Sequence, residues 1–361
     1  MDRRAFLKSG MATAAVASLP WREAAAQEGW RTFEVTTRID VSRPQGVSRA
    51  WVPLPLASDT EWQRNLGSSW SGNASRTQVL GDGKYGATML YAEWPAGHAA
   101  PHLEVTSRFA TRDRAVDPAR AQPSVERLSA ADRAFFIAPT EMIPTDGIVR
   151  ETAQGIVKGA RSDLDKARAI YEWVVDNTFR DAQVRGCGWG DIKSMLETRN
   201  FGGKCGDLNA MFVGLARSVG VPARDVYGLR VARSAHGYAS LGVGSPNVSR
   251  AQHCRAEFYA EGRGWVPVDP ADVRKVVLEE PPGNLAVADP KVVAARKRLF
   301  GSWEMNWLAY NMGHDIALPH ASRGPKLSYL MYPNGETGGE RLDQLDPDAF
   351  KYAITATEIK V

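Results

Sequence analysis

Three residues of this chain have the types and the order that nucleophilic catalysis needs: Cys205, His253 and Asp269. Cys205 follows the pair Gly202–Gly203 and opens the apolar run CGDLNAMFVGLARSV, so it stands at the first position of a helix rather than inside it. The first N–H groups of a helix have no intrahelical acceptor, and the helix dipole favours negative charge there. A thiol at that point ionises readily, to a pKa of roughly 3.5–7.5 when a cation or histidine assists. Gly202, Gly203 and Gly206 keep bulk away from the sulfur. The same N–H groups can receive the oxyanion of an acyl intermediate. Taken alone, Cys205 also fits a capped structural cysteine.

A thiol nucleophile needs a base, and the base needs an orienter. His253 opens the strand-like HCRAEFYA, and Asp269 closes the next, GWVPVDP. The polar break EGRG between them predicts an antiparallel pair, which brings the start of the first strand beside the end of the second. Cys205 on a helix packed against that sheet would then face the imidazole. Asp207 and Asn209, just inside the helix, suit backbone capping. Among the other histidines, His98 and His102 are four apart but in strand and turn context with no third ligand, which argues against zinc. His236 lies in the long loop RSAHGYASLGVGSPNVSRAQ and is a candidate substrate contact. Asn311 lies in GSWEMNWLAYNMGHDI, where aromatics and amides suit either the wall of a substrate cleft or a packed core.

The surrounding elements read as α+β. From Trp30 to about Thr111, FEVTTRIDV, RAWVPLPL, ATMLYAEWP and HLEVTSRFAT alternate apolar and polar positions and predict an antiparallel β module. Helices are predicted in TDGIVRETAQGIVKG, in SDLDKARAIYEWVVDNTF with a Ser162 or Asp163 cap, in DIKSMLETRN, and from Cys205 to Gly220. ARDVYGLRVA precedes the two strands that carry His253 and Asp269. Further on, KLSYLMYP and FKYAITATEI read as strands, and 287–300 as helical. The expected organisation is an N-terminal signal over 1–26, a β module over 28–115, a connecting segment over 116–140, a catalytic core over 141–275, and a C-terminal extension over 276–361.

With 361 residues, 43% hydrophobic, 24% charged and a net charge of +4, the chain has the composition of a globular protein and lacks the like-charge blocks of a nucleic-acid binder. Asp2–Lys8 carries paired arginines, followed by a short Ala-rich run and Ala24–Ala26. This resembles a twin-arginine export signal cleaved near Ala26, and it predicts a periplasmic product with no membrane span. Three cysteines in an oxidising compartment are an odd number: Cys187 and Cys254 can pair and leave Cys205 free, or both can be buried thiols. No phosphate loop, dinucleotide fingerprint or calcium loop is present, and no cofactor or metal is expected.

From about Tyr171 to Pro270 the sequence resembles the transglutaminase-like superfamily, related to papain-type thiol enzymes. The resemblance rests on GGKCGDLNAMFVGLARSVGVPARDVYGLRV, HCRAEFY and GWVPVDP. It implies a papain/transglutaminase-like core, with Cys205 as nucleophile, His253 as general base and acid, and Asp269 as orienter. It also suggests Trp189 as an oxyanion donor, against a plain packing role. The activity implied is acyl transfer from the amide bond of an envelope peptide or protein, with water favoured over an amine as acceptor. The competing expectation is a non-catalytic envelope module that binds peptides or proteins on the same fold.

Overall fold

The structure, a computed structural model, describes residues 29–121 and 125–360, and the backbone of Ala17–Ser18. The segment read as an export signal lies outside the described residues apart from that dipeptide, which pairs antiparallel with Trp70 and Ser69.

Six strands follow: β1 (Arg31–Asp40), β2 (Ser48–Pro53), β3 (Gln63–Gly72), β4 (Arg76–Gly81), β5 (Thr88–Trp94) and β6 (His102–Thr111). Strands β3 and β4 go beyond the sequence expectation, because Gly, Ser, Asn and Gln obscure their alternation. Strand β1 shows the period-two rule directly: Phe33, Val35 and Ile39 are buried, and Arg38 is exposed. The inward residues of β1, β2, β5 and β6 share one hydrophobic core.

The region that carries Cys205, His253 and Asp269 is built around two helices and three strands. Helix α1 (Asp163–Asn177) starts in a capping box between Ser162 and Asp165. Helix α2 (Cys205–Ser218) is buried on every side from Cys205 to Arg217, as its apolar content all round requires. Gly220, at φ +81°, lies just beyond its end in the left-handed conformation that glycine adopts without penalty. Strands β7 (Ala223–Arg230), β8 (Gln252–Ala260) and β9 (Gly264–Val268) follow, and then α3 (Pro270–Glu279). Strands β8 and β9 pair antiparallel, with Ala256 opposite Val268.

The C-terminal residues are woven into the three larger sheets. Strand β10 (Trp307–Asn311) extends the sheet of His253 to the order β9-β8-β7-β10. Strand β11 (Asn334–Thr337) pairs with β2, and β12 (Tyr352–Ile359) pairs with β1 along its whole length. The segment KLSYLMYP is not a strand; only Leu327 makes an isolated bridge, to Ile316. Its consecutive buried residues serve two cores. Leu330 packs with Trp51, Met89 and Tyr91, while Tyr329, Met331 and Tyr332 join the main core, so no single face can form. A helix over Pro290–Arg298 fits the expectation for 287–300. Among the described residues no helix is long and apolar enough to cross a membrane.

Because β12 closes the first sheet, its inward side chains are structural. Ile354, 1% exposed, cut back to alanine costs about 2–5 kcal/mol, measured by urea unfolding. A loss below about 1 kcal/mol would show that the strand is dispensable.

Candidate active site

The loop Gly186–Gly190 and the start of α2 are fastened together by one buried carboxylate. Asp207 Oδ1 accepts the backbone N–H groups of Trp189 and Gly190, each at 2.9 Å, and Oδ2 accepts that of Lys204 at 2.9 Å. The packing is tight enough that a Cβ on Gly188, at φ +87°, would lie 1.7 Å from this carboxylate. The Gly206 N–H donates to Cys187 O at 2.7 Å. Loop and helix therefore meet backbone to backbone beside the Cys205 sulfur.

Across the sulfur stands β8. His253 Nε2 donates to Asp269 Oδ2 at 2.7 Å, with both groups buried. The antiparallel register of β8 and β9 makes this contact, as the sequence predicts. Asp269 is also the N-cap of α3: its Oδ1 accepts the Asp272 N–H at 3.0 Å, and Pro270 takes the first helical position. Trp307 Nε1 donates to His253 O at 3.1 Å, and Trp303 Nε1 to Val268 O at 3.0 Å. The aromatic segment considered as a cleft wall is thus a packed support for both strand ends.

Cys205 and His253 share the wall of a cavity of about 330 Å³. Burial works to raise the Cys205 thiol, but hydrogen bonding from Cys187, Cys254 and His253, with the histidine's charge, holds it well below its usual value. Burial and the Arg230 charge oppose the His253 imidazolium, yet the carboxylates of Asp272 and Asp269 outweigh them and raise it to about 10. Both shifts favour the thiolate and imidazolium forms of the pair.

The comparisons with known proteins agree with this geometry. The model of the transglutaminase-like superfamily matches residues 150–270, which span the Cys205 helix and the strands of His253 and Asp269. An uncharacterized protein of Haemophilus influenzae is 38% identical over 343 residues, which are 91% of each chain. The chain belongs to the transglutaminase-like superfamily. Its fold is shared with a candidate cysteine protease from Cytophaga hutchinsonii, at a TM-score of 0.52 and 14% identity, covering 91% of this chain and 98% of the other. The periplasmic domain of TgpA from Pseudomonas aeruginosa is more distant, at a TM-score of 0.33 and 13% identity over 65% of this chain and 90% of that domain.

In this transglutaminase-like site several predicted contacts fall elsewhere. Trp189 is 67% exposed and lines a neighbouring cavity of about 340 Å³ with Tyr329, Leu342 and Leu345, not the cavity of Cys205. His236 lies 2.9 Å from Asp113 on the surface. Asn311 is fully buried; its amide donates to Leu330 O at 2.7 Å, and its Oδ1 accepts the Gly313 N–H. Both side chains lie apart from the Cys205 cavity. Cys187 and Cys254 form no disulfide, and all three thiols are free and buried.

Four residues of the site were not foreseen. Asp272 Oδ1 lies 3.4 Å from His253 Nε2 and binds Arg230 at 2.5 Å. Arg255 approaches Asp269 at 3.7 Å with its guanidinium over the Trp307 ring. Asn209, expected only to cap backbone groups, donates to Cys254 O at 2.9 Å and to Asp269 Oδ1 at 3.3 Å. The three-residue step from Asp269 to Asp272, with proline between, is the one signal in the sequence that could have flagged a second carboxylate.

The opposed shifts set a pH window. A depressed thiol pKa means the sulfur is anionic above that low value, and the raised histidine stays charged up to about pH 10. At pH 6 iodoacetamide should label Cys205 about tenfold or more faster than Cys187 or Cys254, read by peptide mass spectrometry. His253→Ala should remove that preference; equal labelling in the unmodified chain would refute the ion pair.

Proposed function

We propose that this chain is a cysteine-dependent acyl-transfer enzyme that cleaves amide bonds of envelope peptides or proteins in the periplasm, reached by the twin-arginine route. The observation that carries this reading is the 2.7 Å His253–Asp269 hydrogen bond at the wall of the cavity that Cys205 also lines. The dinitrogen geometry of the imidazole fits: Nε2 is committed to the carboxylate, which leaves Nδ1 to serve the sulfur.

The Cys205 thiolate attacks the amide carbonyl carbon. The oxyanion meets the Cys205 backbone N–H, which has no acceptor among the described residues, at the positive end of α2. The Gly206 N–H is unavailable, since it is held by Cys187 O. His253 gives its proton to the leaving amine, and the bond from carbon to nitrogen breaks, leaving a thioester. The now neutral imidazole takes a proton from water, the hydroxide adds to the thioester, and the sulfur leaves as thiolate. Asp269 keeps the ring oriented in both halves. Hydrolysis is favoured because water needs no acceptor site of its own. Trp189 and Leu345, bordering the adjoining cavity, suit an apolar side chain flanking the scissile bond.

The cavity wall also favours an anionic substrate. Arg180, Lys204, Arg230, Arg250 and Lys275 line it, and no carboxylate does so among the described residues. Arg230 and Arg250 are paired with Asp272 and Asp348, Arg180 and Lys275 share one partner, Glu279, and Lys204 pairs with no carboxylate among the described residues, so the surplus charge rests on Lys204 and the Arg180–Lys275 pair. The acyl donor in this reading carries a carboxylate near the amide to be cleaved.

Two measurements test the proposal. Cys205→Ala should lower amide cleavage of envelope peptides by about 10⁴-fold or more with an unchanged circular dichroism spectrum; retained turnover would exclude the nucleophile. Iodoacetate should gain on iodoacetamide at Cys205, and Lys204→Ala should cut that ratio by about threefold, equivalent to under 1 kcal/mol of Coulomb attraction. An unchanged ratio would remove the anionic-substrate assignment and leave the nucleophile untouched.

A further inference from the structure

The proposed reaction uses one of three neighbouring sulfurs. The Sγ atoms of Cys187, Cys205 and Cys254 all lie within 4.8 Å of one another, each free and buried. They come from three separate parts of the chain: the glycine-flanked loop, the head of α2 and strand β8. Such a convergence needs the whole core to be folded. Cys187 and Cys205 face the cavity, and Cys254, fully buried, sits behind them.

We propose that these three sulfurs form a binding site for a thiophilic monovalent cation, Cu⁺, which on binding silences Cys205. Three atoms within 4.8 Å of one another share a point no farther than 4.8/√3, about 2.8 Å, from each. A metal–thiolate bond is about 2.3 Å, so each sulfur needs to move inward by only about half an ångström. Gly186 and Gly188, on either side of Cys187, adopt φ of +56° and +87°. Gly188 is held by its contact with Asp207, so the loop is braced with its sulfur already turned toward the other two.

The ligand type decides the ion. Soft thiolates select Cu⁺ and Zn²⁺ among biological metals. Zinc takes four ligands in closed sites; among the described residues no histidine or carboxylate atom joins the three sulfurs in the mutually close set, and His253, beside the Cys205 sulfur, is held away by Asp269 at 2.7 Å. Three sulfurs suit a three-coordinate d¹⁰ ion. Binding forms one Cu–S bond to each coordinating sulfur, and protons from Cys187 and Cys254 leave to solvent. Copper stays at +1, so no oxidant or reductant is required. The consequence for catalysis rests on the nucleophile reading above; the site itself rests on the sulfur positions alone.

The test uses the full reduced chain under anaerobic conditions, with Cu⁺ supplied from a bathocuproine disulfonate complex. One Cu⁺ per chain should transfer from the chelator, and X-ray absorption should report three sulfurs at about 2.3 Å. Iodoacetamide labelling of Cys205 should stop when one equivalent is bound. Cys187→Ser and Cys254→Ser should each weaken Cu⁺ binding by at least tenfold, whereas Zn²⁺ should bind at least tenfold more weakly than Cu⁺ and leave Cys205 reactive. Two or fewer sulfurs around copper in the unmodified chain, a measurement independent of how the variants fold, would overturn the site. Serine variants that both bind Cu⁺ as tightly as the unmodified chain, or protection of Cys205 by zinc equal to that by copper, would overturn it as well. A copper-free protein with an unreactive Cys205 that still binds copper through three sulfurs would refute the nucleophile and leave the site standing.

Discussion

The Asp269 carboxylate is the hinge of the arrangement. One oxygen orients His253, and the other caps the helix that begins at the next residue. A strand end and a helix start therefore meet at a single side chain, and neither can shift without disturbing the imidazole. The antiparallel pairing of β8 with β9 sets the distance, and Pro270 fixes the direction in which the chain leaves. Tryptophans 303 and 307 hold the backbone carbonyls on either side, so the geometry is imposed from behind the sheet as well as along it.

The site is electrically dense, with acidic and basic groups set against one another. Cys205, Asp269 and Asp272 face His253, Arg230 and Arg255, all of them buried. Burying charge is costly unless it is paired and hydrogen-bonded. Asp272 meets that need for Arg230 and adds to the field that keeps His253 protonated. Burial and the charge of its neighbour Asp272 push Asp269 upward, while Asp272 is held well below the usual carboxylate range: burial opposes its ionisation, but Arg230 and His253 outweigh it. The orienting carboxylate thus depends on an arginine two strands away for the potential in which it works.

The parts of this site legible in the sequence were those written in local pattern. Cys205 was visible because glycines and an apolar run mark a helix start. His253 and Asp269 were visible because a short polar turn separates two alternating segments, and the register then follows. Arg230, Asp272 and Arg255 were hidden, because their roles depend on which side chains three strands and a helix bring within reach of one another, and no spacing along the chain records that. Trp189 shows the converse: its order along the chain suited an oxyanion donor or a packing residue, but its ring stands exposed beside the adjoining cavity, a placement that order alone does not record. In the fold, alternation found β1, β2, β5 and β6, missed the polar β3 and β4, and misread KLSYLMYP, whose side chains divide between two cores.

The pairing of β12 with β1 joins residues near the two termini, with Ile359 opposite Thr32. Strand β10 likewise brings Trp307 to the carbonyl of His253 only after the catalytic strands have been made. Until these later strands form, the opening sheet lacks its edge partner and the imidazole strand lacks its rear support. Contacts so distant along the chain close late. The thiol centre is therefore completed only after contacts between distant parts of the chain have closed.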